Sequence, residues 1–255
     1  MRIKTIILNP IYVEIPEYSL RKAFKAYIEN LVEGIDVYVI DARKIDDRFV
    51  LIELDGEDAE VAKRYLEKVF GHRLSLSEVL VGQEYSGRVV SIHGHTVAID
   101  IGLEENLFVR VDVSRFLSKL LRKPPDPITS KMQHLIRLLG IGKYMPVAVR
   151  VLSMQNRHIE GNFGRRTRNM FREWLNDRRD RVVVSGTLRA PLDKILKKTK
   201  LFKKIVRVDR LGFLEHAIVC RFGVFADEIA DILRKNGLTR VTTFMPRKLR
   251  KIVES

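Results

Sequence analysis

Cysteine is all but missing from this 255-residue chain. Cys220 stands alone, which excludes an internal disulfide framework and a four-cysteine zinc module. Long apolar runs are missing as well, and no stretch approaches the ~18 consecutive apolar residues of a membrane-spanning helix. The apolar opening, Met1–Val13, is interrupted by Asn9-Pro10 and followed by no small-x-small cleavage pattern. It reads as a first strand rather than a leader, so the expectation is a cytoplasmic protein with no membrane partner. Glutamine occurs only at Gln83, Gln133 and Gln155 while Lys, Arg and Glu abound, a thermophile-like composition. What is present suffices for packing. Hydrophobic residues make up 45% and charged ones 31%, which excludes disorder, and the length allows two or three domains.

Charge is unevenly spread. Residues 1–113 carry 14 basic and 20 acidic side chains, a net of −6, whereas residues 114–255 carry 33 and 12, a net of +21. A basic half joined to a mildly acidic half points to a polyanionic partner on one side of the molecule.

Periodicity divides the chain into blocks of α+β character. Residues 1–80 read as a ferredoxin-like unit: a strand to Val13, a helix with Leu20, Phe24, Tyr27, Ile28 and Leu31 on one stripe, strands at Val37–Ile40 and Phe49–Leu54, and a second helix. That helix is expected to start at Asp58, bury Val61, Tyr65, Leu66 and Val69, and stop at Gly71, with a short last strand within Arg73–Val79. Residues 81–164 contain five strands, three consecutive and then two, the content of an OB-type barrel. A helical insertion at 114–142 interrupts it, with Pro124-Pro125-Asp126-Pro127 as a breaker. Residues 165–180 form an arginine-rich connecting helix. Residues 181–255 repeat β-α-β-β-α-β as a second ferredoxin-like unit, its last helix carrying Phe225, Ile229, Ile232 and Leu233 on one stripe.

Two resemblances follow from particular residues. Val81-Gly82-Gln83-Glu84-Tyr85-Ser86-Gly87-Arg88-Val89, then Val97-Ala98-Ile99-Asp100-Ile101-Gly102, and later Pro146–Leu152, resemble the S-one-type RNA-binding OB domain of ribosomal and exosome proteins. The positions where that class stacks bases hold His95, Ala98 and Val109 here, with Phe108 adjacent. The resemblance therefore implies that the barrel docks on shape and phosphate, or on protein, instead of on bases. Over the whole length, Gly56–Ala62, Asp100-Ile101-Gly102, Asp180–Gly186 and Arg210–His216 with Val219-Cys220 resemble an archaeal family of uncharacterised proteins. That resemblance implies an archaeal origin and a three-part layout, and supplies no catalytic residue.

The strongest candidate binding residues are basic. Arg165, Arg166, Arg168, Arg172, Arg178, Arg179 and Arg181 cluster on and after a helix anchored by Met170, Phe171, Trp174 and Leu175. Arginine's planar fork grips two phosphate oxygens at once. Lys194, Lys197, Lys198, Lys200, Lys203, Lys204 and Arg207 form a second cluster across a helix end and the next loop, denser than helix capping requires. Arg247, Lys248, Arg250 and Lys251 form a third, in a tail expected to be flexible until bound. His93-Gly94-His95 lacks a third metal ligand and reads as a turn, and Gly140-Ile141-Gly142-Lys143 lacks the spacing and the Ser/Thr of a phosphate loop. No catalytic constellation, metal site or cofactor site emerges. The reading is a non-catalytic RNA-binding protein associated with the ribosome, its partner ribosomal RNA, with tRNA and ribosomal subunit proteins as further candidates. An RNA-processing or RNA-modifying enzyme and a protein-interaction scaffold remain open alternatives, as does the oligomeric state.

Overall fold

In the computed structural model, which describes residues 2–121 and 132–254, the first strand β1 (Arg2–Leu8) stops at Asn9-Pro10 rather than running to Val13. It pairs with β3 (Phe49–Asp55), which pairs with β2 (Tyr38–Lys44), in an antiparallel sheet of order β1-β3-β2. Helix α1 (Glu17–Leu31) follows Pro16 and buries the expected stripe of Leu20, Phe24, Tyr27 and Ile28. Helix α2 (Ala59–Phe70) departs from expectation. It buries Ala59, Ala62, Leu66 and Phe70 and leaves Val61 and Tyr65 exposed, because the two alanines let this face lie close to the sheet. Asp58 flanks α2 without a capping hydrogen bond. The strand expected within Arg73–Val79 does not form. His72 makes a single bridge to Ile7, Leu74 makes one to Leu103, and a 3-10 turn occupies Leu76–Glu78. The N-terminal unit is thus a ferredoxin-like sheet whose fourth strand is reduced to one bridge.

Strands β4 (Glu84–His93), β5 (Thr96–Asp100), β6 (Val109–Asp112), β7 (Pro146–Gln155) and β8 (His158–Phe163) close into a barrel in the order β4-β5-β6-β8-β7. β6 runs parallel to β8 and β7 pairs back onto β4, which is OB-type connectivity. The insertion supplies α3 (Val113–Leu121) and α4 (Met132–Leu138); the proline breaker lies outside the described residues. The N-terminal unit abuts the barrel through close backbone approaches. A Cβ on Gly102, at φ +96°, would sit 2.1 Å from His72 O, so only glycine fits there. Across the same junction Arg48 grips Asp100 through Nε at 2.9 Å and Nη2 at 2.8 Å.

After the barrel come α5 (Arg165–Asp177), β9 (Arg181–Ser185), α6 (Arg189–Lys198), β10 (Ile205–Arg210), β11 (Glu215–Cys220), α7 (Ala226–Lys235), β12 (Val241–Phe244) and α8 (Pro246–Glu254). The sheet order β10-β11-β9-β12, all antiparallel, is the complete ferredoxin-like arrangement. Two expectations are corrected here. Phe225 is 55% exposed at the start of α7, whose buried positions are Ala226, Ile229, Ala230 and Leu233. The basic tail is also helical rather than flexible: Leu249 is fully buried and Lys248 pairs with Asp227 at 2.9 Å.

The insertion seals one edge of this sheet. Leu139 bridges Phe244, and Met245 N donates to Leu138 O at 3.0 Å. One core cluster runs through the barrel, the insertion, α5 and the C-terminal unit. The other fills the N-terminal unit and is plugged by Phe213 from the β10–β11 turn, whose ring centroid lies 4.6 Å from that of Phe24. Beside that plug the three units share one polar junction. Glu215 accepts from the Tyr12 hydroxyl at 2.6 Å and pairs with Arg88 at 3.2 Å, while Arg88 also donates to Asn9 Oδ1 at 3.0 Å.

Candidate nucleic-acid interface

Helix α5 takes its position from both ends. At its N-terminus the Glu84 carboxylate of β4 accepts from Arg165 N at 2.7 Å and Arg166 N at 3.4 Å. A barrel carboxylate therefore fills the anion-favouring end of the helix, and phosphate has no place there. Thr167, Phe171, Trp174 and Leu175 face inward, with Trp174 against Phe244 at 5.3 Å between centroids. Arg165 and Arg172 are exposed on the opposite side, Arg168 is half-buried, and Arg178 is exposed at φ 58° just past the helix.

Not every arginine of the cluster is free. Arg166 donates to Ser86 Oγ at 3.2 Å and Val69 O at 3.5 Å, across a cavity of about 530 Å³ between α2 and the barrel, so it brackets two units. Arg181 is 2% exposed. It bonds Asp177, donates to Arg179 O at 3.0 Å and lies over the Trp174 ring. A side chain so enclosed cannot reach a phosphate in solvent, and Arg181 leaves the candidate set. Arg179 pairs with Asp177 at 3.5 Å and lies over Phe222 at 4.7 Å.

Helix α6 buries Leu192 and Leu196, which turns Lys194, Lys197 and Lys198 outward. Lys200 at φ 59° and Lys203 are exposed in the 3-10 turn that follows. Lys204 faces Glu228 at 3.5 Å and Arg207 is paired with Asp209 at 2.7 Å. Of the fourteen predicted positions, nine (Arg165, Arg168, Arg172, Arg178, Lys194, Lys197, Lys198, Lys200 and Lys203) make neither an ion pair nor a side-chain hydrogen bond among the described residues; Arg166 also lacks an acidic partner but is held by Ser86 and Val69.

The two clusters lie on different faces and approach each other only at the sheet end where β9 and β10 begin, where Cys220 N donates to Asp180 O and Arg221 N to Lys204 O. Every residue of β9 and β11 is buried, so both faces of the sheet are covered. Arg181 and its register partner Phe244 contact α5, which lies on that face. The crossovers β9-α6-β10 and β11-α7-β12 are right-handed by rule and place α6 and α7 together on the other. The arginines and the lysines thus flank the C-terminal sheet.

Sequence reasoning missed a further surface. A groove of about 750 Å³ crosses β5 and β6 on the outside of the barrel, between the His93-Gly94-His95 and Asn156-Arg157 turns. Arg110, Arg157 and His158 line it together with Phe108, which is 36% exposed. Val109, one of the positions compared with the stacking class, is fully buried instead. The signal available was the alternation of β6, which sets Arg110 outward between Val109 and Val111. Among the described residues no group of three or more His, Cys, Asp or Glu side chains could hold a metal ion, and no helix is long and apolar enough to cross a membrane.

The geometry defines a class: a three-part α+β protein with an OB-type barrel between two ferredoxin-like units. The chain belongs to the DUF2110 family, a family of unknown function, matching its N-terminal domain over residues 4–74 and its C-terminal domain over residues 179–233. No curated protein matches the chain. Among solved structures, it is similar at 14% identity and a TM-score of 0.25 to one provisionally described as an exosome complex RNA-binding protein, covering 69% of this chain and 93% of that one.

Proposed function

We propose that the protein binds structured RNA without catalysing a reaction, and that its RNA is ribosomal. One observation carries this reading. Nine exposed or half-exposed cations, without ion pairs or side-chain hydrogen bonds among the described residues, flank a sheet whose own charged residues are buried or paired apart from the exposed Arg210, which lies over the Tyr27 ring. Unpaired cations on a rigid scaffold repel one another, and a polyanion relieves that repulsion by exchanging counterions for Lys and Arg contacts. Arginines on one side of the sheet and lysines on the other suit a folded RNA that presents phosphates from more than one strand. The barrel groove, with Arg110 and Arg157, is a further basic surface.

The test is filter binding of ribosomal RNA fragments over a salt series, with co-sedimentation on ribosomal particles at low salt. Charge reversal at Arg165, Arg172 and Arg178 is expected to weaken RNA binding and to reduce the slope of log K against log salt by about 2–3. Arg181→Met is expected to leave that slope unchanged. RNA binding that does not respond to the charge reversals, together with no enrichment on ribosomal particles, would sink the reading.

A further inference from the structure

Phe202, Phe222 and Phe225 are 50%, 59% and 55% exposed, and the fold gathers all three at one end of the C-terminal sheet. Backbone hydrogen bonds draw that end together. Arg221 N donates to Lys204 O at 2.9 Å, Cys220 N to Asp180 O at 3.0 Å, and Ala226 N to the Asp180 carboxylate at 3.1 Å. The start of β10, the end of β11, the start of β9 and the first turn of α7 therefore meet, with Phe202 three residues ahead of β10. Scattered exposed rings need no explanation, but three gathered at one sheet end do.

The surroundings of the rings identify the occupant. Arg178, Lys200 and Lys203 are exposed there without acidic partners among the described residues. The two acids of the first turn of α7 are already matched, Asp227 by Lys248 at 2.9 Å and Glu228 by Lys204 at 3.5 Å. Arg179 covers one side of Phe222 at 4.7 Å, while more than half of that residue stays open to solvent. Open aromatic faces among free cations complement a ligand with flat, unpaired bases strung on phosphates. A duplex offers the phosphates but keeps its bases inside.

We propose that this end of the C-terminal unit is a base-stacking platform for single-stranded RNA, with Phe202, Phe222 and Phe225 as the stacking residues. The proposal rests on the RNA-binding reading above and adds to it the strandedness of the ligand. It also places base recognition outside the barrel, where Ala98 and Val109 offer no ring and Phe108 is the one exposed phenyl lining the groove.

The test uses the full chain and two fluorescein-labelled probes of about 12 nucleotides per strand, an oligouridine and an RNA duplex, at one salt concentration. The variant is the triple Phe202→Leu, Phe222→Leu, Phe225→Leu, which keeps apolar bulk and removes the π faces. All three positions are exposed, so its melting temperature is expected to match the parent's. Its affinity for oligouridine is expected to fall by about tenfold or more, with duplex affinity within about twofold. The matching triple replacement by tyrosine is expected to restore oligouridine binding. A leucine variant that binds oligouridine like the parent, or that loses both probes equally as a remodelled protein-docking patch would, overturns the platform and leaves the RNA reading standing. Parent protein that binds neither probe overturns both.

Discussion

Replacing Arg88 by methionine removes the cation from the place where all three units meet. Glu215 then keeps the Tyr12 hydroxyl at 2.6 Å and the Leu214 backbone but loses the guanidinium at 3.2 Å, in a site where both ion-pair side chains are 4% exposed. Removing one partner of a buried pair costs about 3–5 kcal/mol, because the remaining charge stays uncompensated. That is a large part of the ~5–15 kcal/mol that holds a typical fold together. The loss carries a pH signature. Burial raises the Glu215 carboxyl above the usual 4.5, and Arg88 is the strongest influence holding it down, so the variant's carboxyl rises further. Below the ordinary carboxylate range, folded and unfolded chains are both protonated and the deficit is smallest. As pH rises, the unfolded chain ionises freely while the folded one resists, and stability drains away until the folded carboxyl ionises too. The parent's carboxyl is raised too, so the deficit of Arg88→Met is expected to grow as pH rises above the parent's folded-state value, read as the urea midpoint relative to the parent at each pH. The double variant Arg88→Met, Glu215→Gln removes the stranded charge and is expected to recover most of the loss. A single-variant deficit that is flat with pH, or that grows toward acid, would refute this account of the junction.

His216 makes the opposite prediction. Its Nε2 donates to Thr187 O at 3.0 Å and its Nδ1 has no partner among the described residues, so a second proton would face an interior without an acceptor. Burial accordingly lowers its pKa from 6.5 to about 4. Stability from this group is complete above pH 6.5 and is lost as pH falls toward 4, by up to about 3 kcal/mol, and His216→Gln is expected to flatten that acid limb in thermal melts. Cys220 is fully buried in β11 with its thiol pushed up to about 12. It is expected to resist alkylation in the native chain at pH 8 and to react at the rate of an exposed thiol once urea unfolds it, measured by mass spectrometry.

Much of the architecture is visible in local pattern, and the exceptions share a cause. The stripe of α1 and the barrel hairpin at His93-Gly94-His95 are encoded by neighbouring residues, and both form. The stripe of α2 was misplaced because Ala59 and Ala62 contribute little hydrophobicity, yet their small size is what the sheet requires. Phe213 looks like a residue in the turn of its own hairpin, and nothing nearby reveals that it fills the core around Phe24 and Tyr27. Arg181 was grouped with surface arginines because sequence counts charge without depth; its place at the head of a fully buried strand makes it structural. Phe225 falls on the apolar stripe of its helix yet stands in solvent, while Arg110 and Arg157 line a groove that only barrel closure creates. Residues placed by their own helix or hairpin were legible, and residues placed by another unit were not.

The junction of Tyr12, Arg88 and Glu215 also imposes an order of events on biosynthesis. Arg88 is made 127 residues before its counter-ion, and Tyr12 is made 203 residues before the carboxylate that receives its hydroxyl. At translation speeds of about 5–20 residues per second, Arg88 waits roughly 6–25 seconds and Tyr12 roughly 10–40 seconds for Glu215 to be made. The same hairpin delivers Phe213, so the first core stays unplugged for as long as the charge stays unmatched. A nascent chain stalled before residue 213 therefore exposes an apolar opening beside a bare guanidinium, a surface suited to a chaperone until the last unit arrives.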